Sequence, residues 1–137
     1  MKGENIMADM MAYLALVGKN FDVDYVFRRT GINLCQGIHS SLFQNVGNPY
    51  LMPEWYICTE TISSFEIHPL LEHLIALVPC SNNVLREVAV EYGAKWKILL
   101  SITIRDLEIP AIIIPSEFFR FAGEINADLD IDTRFLF

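Results

Sequence analysis

Residues 98–104 alternate, with Ile98, Leu100, Ile102 and Ile104 on one face and Leu99, Ser101 and Thr103 on the other. This is the period-two signature of a strand, and β-branched residues carry it from Lys95 to Arg105. Asp106 to Pro110 holds turn residues, after which Ala111-Ile112-Ile113-Ile114 is uniformly apolar and closed by Pro115. The pattern predicts a hairpin at the centre of a sheet, its main face covered by helices, with Ile102 and Ile113 both buried.

The remaining elements follow by the same periodicities. Met1 to Asp9 is polar and expected as a flexible arm, and Ala12 to Val17 reads as the first strand, stopped by Gly18. Asp22 caps a short helix whose Val23, Val26 and Phe27 fall at i, i+3, i+4, with Gly31 as its stop. Trp55 to Glu60 reads as a strand. Ser63 and Glu66 have capping-box spacing ahead of Pro69 and the apolar positions Leu70, Leu71, Leu74, Ile75, Leu77 and Val78. Ser81 to Gly93 is a further helix through Leu85, Val88, Ala89 and Tyr92, and Ser116 caps one running to Gly123. Asp128 to Phe135 alternates strictly as a closing strand, with Asp128, Asp130 and Asp132 on one face and Leu129, Ile131 and Thr133 on the other.

The expected fold is therefore a single α+β domain over residues 1–137, in the order β-α-β-α-α-β-β-α-β. A mainly antiparallel sheet of about five strands carries its helices on one face. Leu14 to Asn33 and Ile112 to Asn126 share a strand, a capping residue, an aromatic helix and a Gly stop. That likeness suggests two ferredoxin-like strand-helix-strand halves. Asn33 to Pro53 is irregular, a loop of roughly twenty residues of the kind that is often mobile or functional.

Composition narrows the function. Ten basic against seventeen acidic residues give a net charge of −7, which disfavours direct nucleic-acid binding and suits a basic protein partner. Hydrophobic residues reach 53% and mean hydropathy is +0.32, an excess that suggests either a very apolar core or an apolar patch covered by a partner, including a second copy in a homodimer. Cys35, Cys58 and Cys80 are odd in number and lack CxxC spacing, so free thiols in a reducing cytoplasm are expected. The apolar run Met10 to Val17 follows Glu4 and Asp9 rather than a basic segment. It is also far short of the ~20 residues that span a bilayer. No membrane association is expected.

Few residues suggest chemistry. His68 and Glu72 are spaced i, i+4 beside His73, two or three ligands where a metal site needs three or four. Cys35 and His39 lie close in the irregular loop, without an oxyanion donor or an orienting third group. No phosphate loop, nucleophile elbow or dinucleotide fingerprint occurs. No catalytic residue, metal site or cofactor is therefore assigned. Asp128, Asp130 and Asp132, with Glu124 nearby, form the candidate partner-binding face. On a strand, alternate residues lie ~6.6–7 Å apart on one side, so three carboxylates in a row repel unless water, a cation or a basic partner screens them. A solvent-facing edge strand protected by its charge explains the same row. On the partner-binding reading, replacing Asp130 and Asp132 by Asn leaves folding intact and slows association.

Several stretches resemble the bacterial family catalogued as domain of unknown function 4279. They are the opening strand followed by Phe21-Asp22-Val23-Asp24, the helix end Thr30-Gly31-Ile32, Trp55, and Leu70-Leu71-Glu72-His73-Leu74. Ser116-Glu117-Phe118 leading into Ala127 to Asp132 completes the pattern. The family tends to carry a Pro and a Lys-Gly step after the Gly-Ile, where this chain has Asn33-Leu34-Cys35-Gln36-Gly37. The resemblance implies a compact α+β domain and brings no catalytic signature. The leading expectation is a non-enzymatic protein-binding domain, most concretely a bacterial immunity protein that neutralises a basic toxin such as a nuclease. The alternatives are a small-molecule-binding domain or small enzyme using a pocket under the loop 33–53, and a self-associating structural domain.

Overall fold

The computed structural model describes residues 8–36, 55–106 and 109–136. Two long strands anchor it. β1 (Ala8–Val17) lies antiparallel to a strand over Lys95–Arg105, paired from Asp9 opposite Thr103 to Val17 opposite Lys95. β2 (Cys35–Gln36), β3 (Trp55–Cys58) and β4 (Ile62–Ser64) complete the first side, so the Lys95–Arg105 strand is β5 and Asp128–Leu136 is β6. The sheet order is β2-β3-β1-β5-β6, with β4 also paired to β1. β6 runs parallel to β5, and a parallel pair requires a crossover. Helix α4 (Ser116–Glu124) lies in that connection.

Strand β5 forms as its alternation predicts, with Trp96, Ile98, Leu100, Ile102 and Ile104 all in the main core. Its partner is not the segment 111–114. β1 pairs with β5 over residues 95–103 and β6 pairs with it over 97–105, so both backbone edges of β5 are taken along most of its length. The segment is also bracketed by Pro110 and Pro115, which lack an N–H to donate. Among the described residues Ala111 alone of this segment is bridged, to Glu66, with its N–H donating to the Phe65 carbonyl at 2.8 Å. Ile113 is consequently 74% exposed, whereas Ile102 is fully buried. The expected hairpin is replaced by a long-range antiparallel pair.

Four helices are present among the described residues: α1 (Val23–Thr30), α2 (His68–Ala76), α3 (Asn82–Tyr92) and α4. Val26, Leu70, Leu71, Leu74, Leu85, Val88, Phe118 and Phe121 bring all four into one core with Met10, Ala12, Leu14 and Leu16 of β1. The helical layer therefore covers one face. Asp22 caps α1 by accepting from the Asp24 and Tyr25 amides at 3.0 and 3.3 Å, and Gly31 and Gly93 close α1 and α3 at φ of 75° and 60°. The Trp96 indole donates to the Leu85 carbonyl at 2.7 Å, pinning β5 to α3. Arg29 pins α1 to α3 through Glu91 at 2.6 Å and Glu87 at 3.1 Å.

Several boundaries shift. Ala8 and Asp9 belong to β1 rather than to an arm, and residues 1–7 lie outside the described residues. Ser63 sits in β4 and donates to Asp9 at 2.7 Å, so it caps no helix; α2 begins at His68 instead. The Ser63 hydroxyl and then the Arg105 guanidinium hold the Asp9 carboxyl below its usual range. The strand expected over 55–60 is interrupted at Thr59, which takes the Ala12 amide on its Oγ1 at 3.1 Å while its own N–H meets the Ala12 carbonyl. Cys35 and Gln36 pair with β3, and the rest of the loop to Pro53 lies outside the described residues. The two strand-helix-strand units are β1-α1-β2, split by β3, and β5-α4-β6 with adjacent strands. The second opens on β5, not on 112–114.

Candidate functional site

The alternation of β6 places Asp128, Asp130 and Asp132 on the sheet face opposite the helices, while Leu129 packs toward the main core. The parallel register sets Lys97 against Asp128, Leu99 against Asp130 and Ser101 against Asp132. Each carboxylate meets a cation of its own chain. Asp128 pairs with Lys95 at 3.0 Å, Asp130 with Lys97 at 2.6 Å and Asp132 with Arg134 at 3.4 Å. The face thus carries alternating charge rather than a bare acidic row. The Lys97 side chain is only 8% exposed, so Asp130 holds a cation the fold has taken out of water. Glu124 is not part of this face. It ends α4 and accepts from the Asn82 amide group at 2.6 Å, at the start of α3.

Beside the aspartates, the same face holds Tyr13, Ala15, Tyr56 and Leu99 in a second buried cluster. Tyr13 and Tyr56 meet edge to face at 5.6 Å. Burial, then the neighbouring Cys58 and Tyr56, push the Tyr13 phenol up to about 12. Cys35, Cys58 and Cys80 are free thiols. Burial raises the pKa of Cys58 and Cys80, which keeps them protonated at neutral pH. His39, the proposed companion of Cys35, lies outside the described residues. His68 and Glu72 do contact one another, as their spacing allows. Among the described residues no group of three or more His, Cys, Asp or Glu is arranged to hold a metal ion.

A groove of about 640 Å³ opens on the other side of the molecule, between α2, residues 111–115 and the start of α4. Leu71, Ile75, Ile113 and Phe118 make its apolar floor and wall, and Glu66, Glu72, Glu117 and His68 are its charged or titratable lining. Among the described residues, no Lys or Arg lines it. Local structure explains each wall. Pro69 starts α2 where no N–H is required, the bridge from Ala111 to Glu66 ties down the middle segment, and Pro115 occupies the cap of α4. Glu117, in the first turn of α4, answers the positive end of that helix. The apolar floor lies beside carboxylates, which is chemically complementary to an apolar group carrying positive charge.

Sequence reading missed this groove, because its walls come from three separated segments. One signal was present: prolines at both ends of the isoleucine run remove the flanking donors and keep it from extending as a central strand.

The family model described as "Domain of unknown function (DUF4279)" matches residues 8–136. No curated protein matches the chain, and no solved structure does. Among the described residues, no helix is long and apolar enough to cross a membrane. With nearly its whole length matched, the chain belongs to the DUF4279 family.

Proposed function

We propose that this member of the DUF4279 family is a protein-binding domain whose groove between α2 and α4 receives an apolar, basic segment of its partner. The observation that carries the reading is the groove itself, with Ile113 at 74% exposure beside Glu66, Glu72 and Glu117. An exposed isoleucine in a concave apolar site gains by being covered. The carboxylates around it lose water when covered, which is tolerable only if the incoming segment supplies Lys or Arg. The net charge of −7 favours the same class of partner by steering. In its most concrete form the partner is a basic toxin domain such as a nuclease, and this protein is its immunity protein.

The test is a calorimetric titration with a synthetic amphipathic peptide of Leu and Lys, against a counterpart of Leu and Glu. The Lys peptide binds and the Glu peptide does not. Ile113→Asp and the pair Glu72→Lys with Glu117→Lys each weaken binding by about tenfold or more, the loss of roughly 1.4 kcal/mol expected when an anchor is removed. Equal binding of both peptides, or unchanged affinity in both variants, overturns the reading.

A further inference from the structure

We propose that two copies of this chain associate edge to edge through β6, antiparallel, in the register that sets Thr133 opposite Thr133. The proposal is independent of the groove. Among the described residues the sheet ends on one side in β2, two residues long, and on the other in β6, nine residues long. A long edge with apolar side chains is a template for pairing. Ile131 and Phe135 are 42% and 45% exposed there.

The backbone shows which groups are on offer. The Leu136 carbonyl accepts from the Asp106 amide at 3.0 Å, so residue 136 turns its backbone toward β5. Alternation then directs the even-numbered residues of β6 toward β5 and the odd-numbered ones outward. Ile131, Thr133 and Phe135 therefore present N–H and C=O outward, to an edge that no other described strand pairs. With Thr133 on the dyad, Thr133 pairs with itself and Ile131 pairs with Phe135 on both sides, each as a hydrogen-bonded pair.

The side chains select this register among its neighbours. On the aspartate face it sets Asp132 against Arg134 twice and Asp130 against Leu136 twice, so no like charges meet. Centring the dyad on Ile131 would oppose Asp130 to Asp132. Centring it on Asp132 would oppose that residue to itself, and centring it on Arg134 would stack two guanidinium groups. Like charges directly opposite are destabilising across strands, and opposite charges and aromatic–aliphatic pairs are stabilising. Asp132 and Arg134 already pair within the chain at 3.4 Å, so the dimer closes them into a four-membered ring of alternating charge. The occupant this edge fits is thus a second copy of itself.

Sedimentation equilibrium of the full chain over a concentration series tests this. The wild type should approach twice its 15.7 kDa mass, and Thr133→Pro should stay monomeric with unchanged circular dichroism. That proline removes only an outward N–H, which an edge strand tolerates. Arg134→Asp should also be monomeric, and the swap of Asp132→Arg with Arg134→Asp should dimerise again. Mild oxidation should cross-link Thr133→Cys, but neither Asp128→Cys nor the wild type with its native thiols. A wild-type monomer at every concentration overturns the proposal, as does a dimer untouched by Thr133→Pro. Should either variant fail to fold, cross-linking of Asp128→Cys as fast as Thr133→Cys overturns the register.

Discussion

Ile102 and Ile113 sit in two isoleucine-rich stretches close together in the chain, and they meet opposite fates. Ile102 is fully enclosed between β1, β6 and the helical layer. Ile113 stands at the mouth of a groove, three-quarters exposed. Hydrophobicity does not separate them. Backbone hydrogen bonding does: β5 is paired along both edges, while residues 111–114 lie between two prolines and find one bridge among the described residues. An apolar run earns a place in a sheet only if its backbone can be satisfied there. A run that is denied one remains available for binding.

The largest expected effect breaks that contrast directly. Ile102→Ala should cost about 2–5 kcal/mol in chemical denaturation, the range for truncating an enclosed side chain. A loss near zero would mean that β5 is not the structural centre.

Next comes the charge on the other side of β5. Asp130→Asn strips Lys97 of its partner while leaving the ammonium buried. It should therefore destabilise by about 1–3 kcal/mol, as for a charged group left unsatisfied. The alternation alone predicts intact folding on this neutralisation; the pairing with buried Lys97 predicts a loss. Combining it with Lys97→Met should recover part of the loss, measured as a double-mutant cycle. Full additivity would show the pair to be uncoupled.

A smaller, pH-dependent effect belongs to the tyrosine cluster on that face. Folded Tyr13 holds its proton up to about 12, against ~10 in an unfolded chain. Its contribution is thus complete below the unfolded value and is lost as pH rises through the folded one. Tyr13→Phe should flatten the alkaline limb of a stability-versus-pH curve while leaving the neutral region little changed. An identical alkaline slope in the variant would count against burial of the phenol.

The smallest effect on stability is expected at Ile113. Truncation to Ala should stay within about 0.5 kcal/mol, as for surface positions, yet weaken peptide binding.

How far the sequence reveals this molecule depends on how local each feature is. The strand over 95–105, the cap Asp22 and the stops Gly31 and Gly93 are legible because a few adjacent residues decide them, whereas Ser116, expected as a cap, lies inside α4 behind Pro115. The common face of Asp128, Asp130 and Asp132 is legible from alternation alone. Their neutralisation is not, since Lys95 and Lys97 reach them only through the parallel register of β5 with β6. The false hairpin has the same origin. A neighbouring apolar run looked like the natural partner of β5, and the true partner, β1, lies some eighty-odd residues away by the pairing of Ala12 with Leu100. The groove is the least legible feature, assembled from α2, the 111–115 segment and α4.

The most direct test of the proposed role of the groove is an amide chemical-shift map of the full chain titrated with the Leu–Lys peptide. Saturable shifts should concentrate on Leu71, Ile75, Ile113 and Phe118, and should vanish with Ile113→Asp while that variant keeps its fold. Shifts centred instead on Asp128 to Arg134, or spread evenly over the acidic surface, would contradict the account.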